Sequence, residues 1–138
     1  MLKEITETAL YVPTETFDAW QHRTGVEPDS IKIDVHGSEG KVLFGMQDSL
    51  QNLSFDIYFE IHPQELIIDY SLKDIVSLVF DSGYEMYEMP DFRRQSDAVR
   101  LLPVDAKRRH DLSDPERWTP EEINARRMFY CKKKHSAC

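Results

Sequence analysis

A chain of 138 residues with 41% hydrophobic content and a net charge of −8 is long enough for one modest core and too short for two domains. It contains no run of about 18 apolar residues, and residues 1–10 carry Lys3, Glu4 and Glu7 where a leader would be basic and then apolar, so a soluble, unexported protein is expected. Its two cysteines, Cys131 and Cys138, lack CxxC spacing and suit neither a disulfide framework nor a zinc site, which predicts a cytoplasmic location.

Apolar periodicity alternates between two and about 3.6 along the chain, the pattern of strands interleaved with helices in an α/β fold. Thr16 is placed to cap a short helix starting at Phe17, with Trp20 on the same side and Gly25 as its stop. Residues 30–35, SIKIDV, alternate Ile31, Ile33 and Val35 against Lys32 and Asp34 and predict a strand ending at His36-Gly37. Ser38 then caps an expected helix in which Val42, Leu43, Met46 and Leu50 form one apolar stripe. Gly45 interrupts that helix at a cost of about 1 kcal/mol relative to alanine, which close packing against the sheet would explain.

Residues 55–62, FDIYFEIH, are rich in aromatic and β-branched side chains and predict a strand that Pro63 stops. Ser71 and Asp74 have capping-box spacing ahead of Ile75, Leu78 and Val79, with Gly83 as the terminator and residues 84–89 as a further strand. The polar, mixed stretch 90–117 reads as an irregular excursion, a candidate substrate-facing insertion. Thr119, Pro120 and Glu122 fit N-cap, N1 and N3 of a short helix, and residues 128–131 a last strand before a basic tail.

The acidity is concentrated early: residues 1–62 hold 11 acidic and 4 basic side chains, residues 63–138 hold 14 and 13. The basic runs Lys107-Arg108-Arg109 and Lys132-Lys133-Lys134 have no interleaved aromatic pattern, so they read as solvated surface in preference to a nucleic-acid interface.

Open α/β sheets bind ligands beyond the carboxyl ends of their strands. The ends of the two best strands are Asp34-Val35-His36 and Glu60-Ile61-His62. Each puts a carboxylate and an imidazole two residues apart, hence on one face of its strand. If the strands are neighbours, all four groups converge. The carboxylates can then balance a cationic ligand while a histidine accepts a proton, as methyl transfer from a sulfonium to a hydroxyl requires. Alternatively, Asp34, His36, Glu60 and His62 bind a divalent metal in a hydrolase, or the carboxylates only cap backbone amides and the histidines pack.

IKIDVHGSEGKVLFGM, residues 31–46, resembles the signature of FkbM methyltransferases, a strand reading "KIDVEG" followed by a second glutamate and a helix ending near "L.G". Lys32, Asp34, Gly37, Glu39, Leu43 and Gly45 match it. Thr16-Phe17-Asp18 is similar to the family's "TLD" segment, YFEIHP to its "lvEih" strand, and Ser82-Gly83-Tyr84 to its "GY" turn, so the likeness covers about residues 12–89. His36 departs from it, standing where the family has glutamate.

The resemblance implies the C-terminal half of a Rossmann-like class I methyltransferase fold, a mixed sheet flanked by helices, with S-adenosylmethionine as cofactor and a sugar or secondary-metabolite hydroxyl as acceptor. Under a methyltransferase reading, the chemistry of the strand ends gives catalytic roles to Asp34, His36, Glu60 and His62, with His36 or His62 as the base, and cofactor contacts to Asp34 and His36, and it needs no metal ligand. The five glycines, Gly25, Gly37, Gly40, Gly45 and Gly83, include no GxG turn, so the N-terminal cofactor-binding strands are expected to be missing. The edge left on SIKIDV would then take a separate N-terminal half or a second copy. A degenerate remnant serving as a binding module is the non-enzymatic alternative.

Overall fold

The computed structural model describes residues 11–62, 70–90, 99–124 and 127–135. The side chain of Thr16 accepts a hydrogen bond from the Ala19 amide at 3.1 Å and opens α1 (Phe17–Thr24), which Gly25 closes at φ 69°. β1 (Ser30–Ile33) ends before the apolar alternation does. Beyond it the Ser38 amide donates to the Val35 carbonyl at 3.4 Å across a tight turn. The turn's central residues, His36 and Gly37, have φ of 47° and 101°, as in primed turns.

The single helix expected after Ser38 is two, α2 (Glu39–Phe44) and α3 (Gln47–Asn52). Ser38 makes no side-chain cap bond. Asp18 of α1 caps α3 from a distance: its carboxylate accepts the amides of Asp48 and Ser49 at 3.0 and 2.9 Å and the Ser49 hydroxyl at 2.6 Å. A Cβ at Gly45 would stand 3.1 Å from the Lys41 carbonyl oxygen and 3.4 Å from Thr16 Cβ. The close neighbour that Gly45 admits is therefore the start of α1, not the sheet.

β2 (Asp56–Ile61), α4 (Leu72–Asp81) and β3 (Tyr84–Met89) form as expected, α4 with a complete Ser71/Asp74 capping box. The expectation of an irregular stretch over 90–117 is corrected for its second part. Residues 91–98 lie outside the described residues, and beyond them the chain forms β4 (Leu102–Pro103), α5 (Ala106–Leu112) and a 3-10 turn, Pro115–Arg117. Asp105 caps α5, its carboxylate accepting the Arg108 amide at 2.8 Å. α5 buries only Leu112 and so shows no apolar stripe. α6 (Pro120–Asn124) starts on a reciprocal Thr119/Glu122 box, and β5 (Arg127–Lys133) is a longer strand than its apolar run suggests.

The five strands form one mixed sheet in the order β1-β2-β5-β3-β4. β1 and β2 are parallel, as the helical crossover between them requires, and β5 runs antiparallel between β2 and β3. One face buries Ile57, Phe59 and Ile61 of β2 against Phe129 and Cys131 of β5, with Ile75, Val76 and Val79 of α4 completing the core. The architecture is thus α/β with helices on a mixed sheet, as expected. Among the described residues β1 is a sheet edge, flanked by a groove of about 350 Å³ lined by Phe17, Trp20, Ile31, Val35 and Met46. No helix among the described residues is long and apolar enough to cross a membrane.

Candidate functional site at the strand ends

Because β1 and β2 are parallel neighbours, with Ile33 opposite Phe59, their carboxyl ends open on the same side of the sheet. All four residues expected to converge do so. Asp34 Oδ1 lies 3.8 Å from Nε2 of His36 and 3.8 Å from Nε2 of His62. Glu60 Oε2 lies 3.1 Å from His62 Nε2. The two imidazole rings stack, with centroids 4.4 Å apart and planes at 20°. His36 reaches this position from a left-handed backbone, a conformation that non-glycine residues adopt at a cost and that clusters at functional sites.

A fifth group, Glu39, completes the cluster. It is fully buried at the first position of α2, where Oε1 is 2.7 Å from His62 Nδ1 and Oε2 accepts the Gly37 amide at 2.9 Å. As a carboxylate can only accept, Nδ1 donates to Glu39, and this bond turns the His62 ring so that Nε2 faces Asp34 and Glu60. His62 is itself only 6% exposed. Residue pattern alone missed Glu39, reading it as the first turn of a helix. The available signal was its match to the second glutamate of the FkbM signature.

Burial of Glu39 depends on Gly40. A Cβ there would come 2.5 Å from Tyr70 Cβ, closer than atoms can approach, so glycine alone lets α2 settle against Tyr70. Phe44, one turn on, stacks on the same ring at 4.3 Å. Among the described residues, three carboxylates, Asp34, Glu39 and Glu60, gather around two imidazoles. Lys32 reaches it from outside, its exposed ammonium 3.8 Å from Asp34 Oδ2. Such an arrangement favours a positively charged ligand.

No curated protein matches the chain. The methyltransferase FkbM domain matches residues 2–86, more than half of the chain and all five residues of the cluster, so the chain belongs to the FkbM methyltransferase family.

Proposed function

We propose that this chain carries the methyl-acceptor side of an S-adenosylmethionine-dependent O-methyltransferase of Rossmann-like fold, acting in the cytoplasm on a hydroxyl of a sugar or secondary metabolite. The carrying observation is the buried Glu39–His62 pair at 2.7 Å, which turns His62 Nε2 toward the strand ends. When bound, the cofactor supplies a methyl group on a cationic sulfur. The charge of the cluster fits that cation, with Asp34 and His36 as its nearest contacts. His62, with His36 stacked on it, accepts the proton of the acceptor hydroxyl, and Asp34 and Glu60 orient the acceptor. Family membership favours this over the hydrolase, and the convergence of Asp34, His36, Glu39, Glu60 and His62 at the strand ends is what supports it against a degenerate binding module.

With no GxG turn among its glycines, the cofactor's adenosine is proposed to be held across the β1 edge, by a separate N-terminal half or a second copy of this chain. Calorimetric titration with S-adenosylmethionine tests this. Weak binding by the chain alone is expected, and micromolar affinity without a partner would overturn the split-site reading. In the form that binds the cofactor, His62→Gln and His36→Gln are assayed for transfer of labelled methyl to hydroxylated acceptors. A loss of about 10²–10⁴ in turnover in at least one of them is expected of a general base. Full turnover in both would overturn the base assignment.

A further inference from the structure

We propose that Asp34, His36 and His62 form a binding site for a divalent first-row transition metal. A carboxylate oxygen of Asp34 and one ring nitrogen from each histidine all lie within 4.8 Å of one another. Around a tetrahedral ion, ligand atoms at bond lengths of about 2.0–2.1 Å stand about 3.4 Å apart. The two Asp34 contacts, at 3.8 Å each, are already close to that spacing. Stacked rings point their lone pairs side by side, so loading requires the His36 ring to tilt out of the stack. Its side chain is 54% exposed.

An independent observation points to the same ligand. His62 Nε2 is buried and aimed into the cluster, 3.1 Å from Glu60 Oε2, and makes no hydrogen bond. Its other nitrogen is held by Glu39 at 2.7 Å. A carboxylate behind a histidine fixes the tautomer and raises the basicity of the ligating nitrogen, the usual support of a metal-binding imidazole. Two nitrogen donors and one oxygen select zinc, cobalt, iron or manganese over magnesium. Three protein ligands leave at least one position open to water or a substrate oxygen.

The site stands independently of the methyl-transfer reading. If both hold, the ion would take over from the histidines the task of polarising the acceptor hydroxyl. The test uses the full chain stripped of metal with a chelator. Calorimetric titration with Zn²⁺ is expected to give one equivalent bound with micromolar affinity, and Co²⁺ a visible absorption band that saturates at the same ratio. Mg²⁺ should bind about 100-fold more weakly or worse. Asp34→Asn and His36→Ala, both at accessible side chains, should each weaken Zn²⁺ by about tenfold or more, and Glu39→Gln by about 10–100-fold through His62. Unchanged Zn²⁺ affinity in both Asp34→Asn and His36→Ala, or no saturable binding at millimolar Zn²⁺, would overturn the proposal. Tight Zn²⁺ with no S-adenosylmethionine binding in any form would support this site while removing the methyltransferase reading.

Discussion

Among the described residues, carboxylates gather in two places and are treated in opposite ways. Where α5, α6, β3 and β5 meet, Glu88 and Glu122 face two guanidiniums. Arg108 Nε donates to Glu88, Arg108 Nη2 lies 3.0 Å from Glu122, and Arg127 reaches Glu88 at 3.0 Å and Glu122 at 2.9 Å. Burial pushes the Glu88 carboxyl above its ordinary range while Arg108 pulls it back. At the ends of β1 and β2, Asp34, Glu39 and Glu60 gather around two imidazoles and the exposed Lys32. The first cluster is complete as it stands and ties four elements together. If the second takes up the cation proposed for it, the contrast separates a structural cluster from a functional one.

Unbalancing the first cluster is the most severe way to test this. Arg108→Ala leaves Glu88 buried with Arg127 as its remaining partner. We expect a loss of about 2–3 kcal/mol by urea denaturation, below the ~3–5 kcal/mol for breaking a fully buried pair because Arg108 is 25% exposed. A loss under about 0.5 kcal/mol would place the quartet with ordinary surface pairs and break the contrast.

Asp74 offers an intermediate case, an exposed carboxylate satisfied by neutral donors. The Ser71 hydroxyl donates to it at 2.7 Å and the Ser71 amide at 2.8 Å, and these bonds, the hydroxyl's first, hold its carboxyl below the ordinary range. Ser71→Ala should cost about 1 kcal/mol at neutral pH. A depressed folded-state value means that the stabilisation is present above the unfolded value of about 3.9 and is lost as pH falls through the lowered one. The gap between variant and parent, measured by denaturation from pH 7 downward, should therefore narrow in acid. A gap that stayed constant would show that Asp74 contributes nothing through its charge.

These differences bear on what could be read from residues alone. The convergence at the ends of the parallel strands β1 and β2 was legible, but strand period did not place Asp34 with His36: β1 ends at Ile33 and His36 reaches the cluster from a left-handed turn. Capping at Thr16, Ser71 and Thr119 was equally legible, because each cap lies within three residues of the amide it accepts. The break between α2 and α3 was not, because Asp18 caps α3 from 30 residues away. Nor was α5, which is held by its Asp105 cap and the Arg108 pairs instead of an apolar stripe. Glu39 was hidden for a similar reason: its burial depends on the clearance between Gly40 and Tyr70, a tertiary fact.

The smallest expected effect is the most discriminating. Asp34→Asn removes one negative charge from a cluster rich in them while keeping the shape of the side chain. In a structural cluster such a change costs stability. Here relief of repulsion and loss of the weak Lys32 contact oppose each other, so stability should stay within about 0.5 kcal/mol of the parent or rise slightly. Added salt should shrink whatever difference there is, because Asp34 is partly exposed and its interactions are screened. Thermal unfolding at low and high ionic strength measures both. A loss above about 1 kcal/mol would mean that Asp34 holds the turn at His36-Gly37 together and is structural. A neutral result joined to weakened cation binding would mark a residue kept for its ligand, since nothing in the fold then requires it.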